Sequence, residues 1–311
     1  EEDLQLLFET LRLFKGRNGV HPVITANAVV TNPDFIRIKS GGKKNYYYEP
    51  ISETYKKYPN HFRSLELWKN QGMSEKLLWP QYHGREHLNV KKWMRAINSS
   101  DRWELEAFEN NVLLGLKREK QQGRLHNYMA AFEYSTQSEW QDLNDIAQEG
   151  LEIFEKLFGF ESKSFVAPCS IRGDHLDKVL YNSGVLFHQC GQQFIPDKSG
   201  SLRIKNRMWG QRNSLGQIYW RRNCTFEPSR DHNYDWVVSC LDEMKIAFKW
   251  GKPAVINSHR VNFIGSIFPE NREKSLKALR KLIRSALSIW PDIEFMSSDA
   301  LGDMIAQSNI S

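Results

Sequence analysis

Short apolar runs recur along the chain, and each is followed by a polar turn and a segment with helical spacing of apolar residues. This alternation predicts parallel strands joined by helices, as in an α/β sheet or barrel. Predicted strands span residues 21–26, 44–48, 77–81, 128–134, 164–167, 184–189, 217–220, 253–258 and 292–296. Predicted helices span residues 4–14, 62–71, 90–97, 138–158, 174–182, 234–250, 272–290 and 299–307. Residues 196–217 have no clear period and predict a long loop or hairpin. No linker interrupts the 311 residues, which favours one catalytic α/β-barrel domain, residues 1–311.

Composition excludes several classes of protein. No apolar run approaches the ~18 residues of a membrane-spanning helix. Lys and Arg number 43 against 37 Asp and Glu, a net charge of +6. The basic runs lack any helix-turn-helix, zinc-finger or RNP pattern, so we expect solvated helix faces and no nucleic-acid partner. The four cysteines form no C-x-x-C pair, which argues against a zinc ribbon. The first residues show no secretory signal, which favours a cytoplasmic location; a signal peptide that had been trimmed is the alternative.

In parallel α/β folds the active-site residues lie at the carboxyl ends of the strands. Ionisable or polar side chains that follow predicted strands are therefore the candidates for function. These are Asn27, His83, Glu86, His87, Glu133, Cys169, Arg172, His259 and Arg260.

The sequence His-Gly-Arg-Glu-His at residues 83–87 follows the predicted strand 77–81. On a helix, residues i and i+4 lie ~5–6 Å apart, so His83 and His87 could bind one metal ion. Two partly buried histidines without a ligand are the alternative. The same five residues also match the inverted zinc-peptidase motif H-x-x-E-H, in which Glu86 would be the general base.

His259 follows the predicted strand 253–258. Because an unperturbed imidazole titrates near ~6.5, this histidine suits a general acid. A histidine hydrogen-bonded to groups at the sheet edge is an equally good interpretation.

Together these motifs resemble those of the polysaccharide deacetylases of carbohydrate esterase family four. Their H-[ST]-x-x-H is similar to residues 83–87, and their apolar-Leu-His-Asp is similar to Ile-Asn-Ser-His-Arg at 256–260. Their Asp-Trp step is similar to residues 235–236, and their R-x-P-Tyr is distantly similar to residues 166–169. The resemblance implies a distorted (β/α)7-8 barrel, an acetylated carbohydrate substrate and a divalent metal, Zn or else Ni, Co or Mn.

The chain departs from this family at the first motif. The family's Thr-Phe-Asp-Asp falls on Thr-Ala-Asn-Ala at residues 25–28, so both aspartates are missing. We hypothesise that Asp34 replaces the lost metal ligand and that Asn27 is a neutral substitute. Alternatively, Asn-Pro-Asp at 32–34 is a turn that starts a helix. Glu133 is the remaining candidate base, although its position favours a solvated strand end.

The resemblance also implies a mechanism. A metal held by His83, His87 and Asp34 lowers the pKa of bound water from 15.7 towards ~7 and stabilises the oxyanion. A carboxylate takes the proton of this water, and His259 protonates the departing sugar amine or alcohol.

Three further side chains are predicted to bind the substrate. Arg260 and Arg172 could stabilise the oxyanion or an anionic sugar, and Trp209 could stack on a pyranose ring. Surface salt bridges are the alternative for the arginines. The competing functions are a zinc peptidase, a glycan-binding barrel without turnover, and a glycosidase using Asp34 and Glu133.

Overall fold

The protein is described here from a computed structural model. The structure describes residues 1–99, 102–114, 120–121, 124–125, 128–197 and 201–308. Its helices are α1 (Glu2–Arg12), α2 (Phe35–Ser40), α3 (Ile51–Lys56), α4 (Ser64–Leu67), α5 (Val90–Ile97), α6 (Arg102–Glu109), α7 (Trp140–Phe158), α8 (Leu176–Asn182), α9 (Trp236–Lys249), α10 (Pro269–Ile289) and α11 (Ser298–Gln307). A π-helical segment, Trp68–Met73, and 3-10 helices at Gln137–Glu139, Pro168–Ser170 and Arg260–Phe263 complete the helical structure of the described residues.

The strands are β1 (Ile24–Val29), β2 (Thr31–Pro33), β3 (Tyr48–Pro50), β4 (Leu78–Gly84), β5 (Lys120–Gln121), β6 (Arg124–Leu125), β7 (Ser164–Phe165), β8 (Phe187–Gln189), β9 (Gln192–Pro196), β10 (Leu202–Asn206), β11 (Ile218–Trp220), β12 (Cys224–Thr225) and β13 (Ile256–Asn257). Five of them form a sheet in the order β1-β4-β7-β8-β11, and the pairs β4–β7, β7–β8 and β8–β11 are parallel. The predicted mixed α/β fold with a parallel sheet is confirmed. Closure of the strands into a distorted (β/α)7-8 barrel stays a prediction.

The chain divides into two compact units. Unit 1 comprises the described residues of 1–26, 58–80 and 221–308. Unit 2 comprises the described residues of 27–57 and 81–220. The expectation of one catalytic domain over residues 1–311 stays a prediction.

The core of unit 1 is formed by helices α1, α9 and α10 together with β12. In α10 the residues Leu276, Leu279, Leu282 and Ile283 are buried, at the spacing that puts them on one face of a helix. Pro269 is the first residue of α10, where a proline costs no hydrogen bond. Unit 1 also contains the two-stranded parallel sheet β12–β13.

Unit 2 carries most of the five-stranded sheet. Its longest helix, α7, buries Leu143, Ala147, Leu151 and Phe154 at helical spacing. The helix ends at Gly159, whose φ of 85° lies in the left-handed region that favours glycine. Residues 196–217, predicted as a loop or hairpin, include β10, which pairs antiparallel with β9. None of the described helices is sufficiently long and apolar to cross a membrane.

Two predicted strands are absent, and of a third, 44–48, only Tyr48 lies in a strand, β3. Residues 128–134 are buried in part but form turns, because the Asn89 side chain donates to the Ala130 and Glu133 carbonyls at 3.3 and 2.6 Å. Residues 292–296 also form no strand. Their backbone carbonyls accept isolated hydrogen bonds instead. Arg17 N donates to Ile293 O at 2.8 Å, and Asn18 Nδ2 donates to Phe295 O at 3.2 Å. In both segments the backbone polar groups of an apolar run form isolated hydrogen bonds rather than the regular ladder of a β-sheet.

Candidate active site

Strands β12 and β13 bring together two ionisable side chains of unit 1. The strands are parallel, with Cys224 opposite Ile256 and Thr225 opposite Asn257. Glu227 and His259 each lie two residues beyond the end of their strand, so they occur at equivalent positions of the same sheet edge. The sequence singled out His259 but missed Glu227, because β12 has only two residues and gives no pattern of its own.

Glu227 and His259 form a hydrogen-bonded dyad. His259 Nδ1 lies 2.6 Å from Glu227 Oε1. The Glu227 side chain is 8% exposed, whereas that of His259 is 71% exposed. A carboxylate accepts hydrogen bonds, so in the neutral ring the proton lies on Nδ1, facing Glu227, and Nε2 has a lone pair. An imidazole oriented in this way can take a proton at Nε2 while the carboxylate stabilises the charge that forms.

His259 lines a cleft of about 1140 Å³ in unit 1. Its apolar lining residues include Val261, Ile267 and Phe268, which are 53%, 79% and 72% exposed. The cleft is large enough for an extended ligand, and both apolar and hydrogen-bonding side chains line it, as in ligand sites generally. Polar or charged residues also line it, namely Thr225, Glu227, Ser229, Arg230, His232, Asn257, Glu270, Asn271 and Lys274.

Arg260, predicted to bind substrate, is exposed and begins the 3-10 helix Arg260–Phe263. Arg260 is not among the described residues that line the cleft. The Asp-Trp step at 235–236 starts helix α9, where Asp235 accepts hydrogen bonds from Val237 N and Val238 N at 3.1 and 3.0 Å. This step is therefore a helix cap in the structure.

The predicted histidine pair lies in unit 2. The ring centroids of His83 and His87 are 4.9 Å apart. His83 Nδ1 lies 2.7 Å from Val166 O, and because a carbonyl only accepts, this nitrogen carries the proton and Nε2 has a lone pair. The two rings are close enough to ligate one ion.

The backbone that brings the two rings together is not helical, contrary to the prediction. Strand β4 continues to Gly84, and residues 85–88 form bends. Gly84 has a φ of 141°, a conformation that favours glycine, and the chain turns there.

Glu86 does not serve as the base that a peptidase motif requires. Its carboxylate is buried and binds the Arg85 guanidinium through two hydrogen bonds of 2.7 and 2.8 Å. It also accepts from Thr31 Oγ1 at 3.0 Å. An inverted zinc-peptidase motif needs a helix and an accessible glutamate, so the structure contradicts this alternative.

Asp34 caps helix α2. This agrees with the alternative interpretation of residues 32–34 as a turn that starts a helix. Asp34 Oδ1 accepts from Arg37 N at 3.0 Å. Asn27 is half-buried and exchanges hydrogen bonds of 3.4 and 3.0 Å with the Gln189 side chain. Within the described ranges, no three His, Cys, Asp or Glu side chains are grouped so that they could hold a metal ion. His83 and His87 therefore supply two donors, one fewer than a catalytic zinc site ordinarily takes from the protein, and the predicted set with Asp34 does not fit.

Glu133, the predicted alternative base, follows turns rather than a strand. Its Oε2 lies 2.8 Å from Lys92 Nζ. Asp34 and Glu133 thus each have a defined structural contact, one as a helix cap and one as an ion pair.

Arg172 is buried rather than available to a substrate. Its side chain is 2% exposed, and Nη1 lies 2.5 Å from Asp177 Oδ1. Nη1 also donates to Gly173 O at 3.1 Å. Trp209 is half-buried beside the buried Trp220, with 6.5 Å between the ring centroids. The strand-end criterion cannot distinguish a buried arginine from an accessible one, since both follow a strand.

Comparison with known proteins gives distant structural likenesses. No family model and no curated sequence matches the chain. A candidate polysaccharide deacetylase from Mycobacterium smegmatis aligns with a TM-score of 0.48 and 13% identity, over 99% of this chain and 78% of its own. A candidate glycoside hydrolase or deacetylase from Parabacteroides distasonis aligns with a TM-score of 0.37 and 12% identity, over 55% and 49% of the two chains. The predicted resemblance to polysaccharide deacetylases is thus found among solved structures as a distant likeness, which by itself assigns neither family nor function.

Proposed function

We propose that this chain is a hydrolase that removes acetyl groups from an N- or O-acetylated carbohydrate, with His259 as its acid and base. The observation that carries the proposal is the contact of 2.6 Å between His259 Nδ1 and the buried Glu227 carboxylate, at the edge of a cleft of about 1140 Å³. The motif around His259, which resembles the acid-bearing motif of the deacetylases, supports the same role.

The chemistry follows from the orientation of the imidazole. His259 Nε2 takes a proton from a water molecule as the water oxygen attacks the acetyl carbonyl carbon. Glu227 stabilises the imidazolium through Nδ1. The imidazolium then gives the proton to the sugar nitrogen or oxygen as its bond to the acetyl carbon breaks. The products are the free sugar amine or alcohol and acetic acid, so atoms and charge balance.

The size and lining of the cleft favour a carbohydrate as the substrate. An acetyl group alone would occupy a small part of about 1140 Å³, whereas a chain of sugar rings would fill it. The exposed ring of Phe268 offers a face on which a pyranose can stack. Asn257 Nδ2 and Asn271 Oδ1 offer a donor and an acceptor for sugar hydroxyls, while Asn257 Oδ1 accepts from Arg222 and Asn271 Nδ2 donates to two backbone carbonyls.

Acetate release from a panel of acetylated glycans tests this proposal. We expect the full chain to release acetate from at least one member of the panel. His259→Ala should lower the rate by about 10²- to 10⁴-fold, the usual contribution of a general acid or base. His21→Ala is the matched control, because His21 Nδ1 contacts a backbone carbonyl, Phe14 O, at 2.6 Å and lies outside the cleft. Release that survives in His259→Ala would refute the role of the dyad.

A glycan-binding protein without turnover is the second candidate. In the described part of the chain, His83 and His87 have no third metal ligand beside them. Because a deacetylase that uses a metal needs a complete metal site, this favours binding without turnover. Binding of a glycan by wild type, with no acetate released and no divalent ion found by elemental analysis, would select this function.

A further inference from the structure

Glu227 is a buried carboxylate whose second oxygen accepts hydrogen bonds from groups other than the His259 ring. Oε2 accepts from Asn262 Nδ2 at 2.8 Å and from the backbone N of His259 at 3.3 Å. Burying a charge is costly unless hydrogen bonds replace its water. The shorter of these two contacts is the one from Asn262.

Asn262 is itself fixed in one orientation. It is fully buried, and its Oδ1 accepts from Ser229 N at 3.0 Å and from Ser229 Oγ at 2.6 Å. A backbone N–H can only donate, so the oxygen of this amide must face Ser229 and its nitrogen must face Glu227. Nδ2 also lies 2.9 Å from both Ser258 Oγ and His259 O.

We infer that Asn262 is a positioning residue: it holds the Glu227 carboxylate so that the carboxylate holds His259 in the tautomer with its proton on Nδ1. The inference rests on the proposed function for its effect on rate, but not for its effect on the tautomer. Asn262 does not line the cleft in the described part of unit 1, so it acts on His259 through Glu227 and not on a substrate.

The geometry explains why an amide is needed at this position. The donor must be uncharged, because a cation would compete with His259 for the carboxylate, and it must be joined to an acceptor for Ser229 N. An amide satisfies both requirements within one rigid side chain. If Asn262 were absent, Oε2 would keep only its 3.3 Å contact, and the carboxylate could rotate away from Nδ1.

The test is the tautomer of His259, read from long-range ¹H–¹⁵N spectra of the ¹⁵N-labelled full chain without any substrate. The ring signals are assigned by their loss in His259→Ala. In wild type we expect the neutral ring to carry its proton on Nδ1. In Asn262→Ala a substantial fraction should carry it on Nε2, and kcat for acetate release should fall about tenfold with KM within about twofold.

Two further variants guard against loss of the fold. Asn262→Asp keeps the shape and the acceptor for Ser229 but replaces the donor with an acceptor that repels Glu227, so we expect a larger fall in kcat than for Asn262→Ala. Asn223→Ala is the control, because it removes hydrogen bonds to Pro253 O (2.9 Å) and from Val255 N (2.8 Å) in the same unit without touching Glu227. It should lower the melting temperature and leave the tautomer of His259 unchanged.

A wild-type tautomer in both Asn262 variants would overturn the inference. The same shift of tautomer in Asn223→Ala would also overturn it, because the effect would then be a general loosening of unit 1. Failure of wild type to release acetate would refute the proposed function alone, since the tautomer is measured without turnover.

Discussion

The histidine sites of the two units differ in what their Nδ1 atoms contact. In unit 1, His259 Nδ1 contacts a carboxylate, Glu227, whereas in unit 2, His83 Nδ1 contacts a carbonyl, Val166 O. Both contacts leave Nε2 with a lone pair, but only the carboxylate carries a charge that can stabilise an imidazolium. The dyad therefore suits proton transfer, and the pair His83–His87 suits ligation by neutral rings.

Among the variants that test this comparison, the largest expected effect comes from removing the charge that distinguishes the two sites. Glu227→Gln keeps a hydrogen-bonding group beside His259 but cannot stabilise its imidazolium. We expect acetate release to fall about 10- to 100-fold. We also expect a lower melting temperature, because the new amide nitrogen must face either His259 Nδ1 or the donors Asn262 Nδ2 and His259 N. Steady-state kinetics and a thermal melt check both. A wild-type rate in this variant would make the dyad equivalent to the neutral contact of His83.

Arg172 and Arg260 sharpen the comparison, because one is buried in unit 2 and the other exposed in unit 1. Arg172→Ala leaves Asp177 without its 2.5 Å partner, so we expect the free energy of unfolding to fall by about 3–5 kcal/mol. Arg260→Ala should change it by no more than about 0.5 kcal/mol. Denaturant titrations of both variants measure this. Equal values would contradict the structural role given to Arg172.

A third histidine shows what burial alone does. His175 of unit 2 stacks on Trp140 at 4.6 Å, and burial, followed by the charge of Arg172, lowers its pKa to about 4. In the unfolded chain it titrates near ~6.5, so between these values only the unfolded chain binds the proton. Stability should therefore fall as pH falls from about 6.5 to 4, by about 1–3 kcal/mol from this residue.

Replacing His175 tests this pH dependence. His175→Phe keeps a ring on Trp140 and should flatten the fall in stability across that pH range. His188, whose pKa is lowered by burial first and by Arg172 second, retains part of the slope. Urea titrations at pH 7, 5.5 and 4 measure it, and an unchanged slope would refute the assignment to His175.

The smallest expected effect distinguishes Asp34 as a helix cap from Asp34 as a metal ligand. Asp34→Asn keeps an oxygen that can accept from Arg37 N, so a helix cap survives, whereas Asp34→Ala should lose about 1 kcal/mol of stability. Acetate release should be near wild type in Asp34→Asn. Loss of release in that variant, with stability kept, would restore Asp34 as a metal ligand.

The sequence predicted well the elements whose burial is periodic. Helices α7 and α10 repeat apolar residues over 19 and 21 residues, and such a pattern has few competing explanations. The buried run at 128–134 predicts a strand, but an apolar run without a period does not distinguish a strand from a buried turn. The side chain of Asn89, about 40 residues away, decides between them.

The candidate site was predictable only where it is local in sequence. The spacing of four residues predicts that His83 and His87 are close, although a turn at Gly84 rather than a helix brings their rings together. The partner of His259 lies 32 residues away, after a strand of two residues, so no spacing pointed to Glu227. Arg172 and His259 both follow strands, and only the fold shows that the first is 2% exposed and the second 71% exposed.

Chemical rescue of His259→Ala tests the central claim most directly. Because the His259 side chain is 71% exposed, its removal opens a space beside Glu227 that free imidazole can enter. We predict that acetate release, lost in His259→Ala, returns in proportion to added imidazole, while His21→Ala is unaffected by it. A variant that keeps the wild-type rate without imidazole would contradict the account.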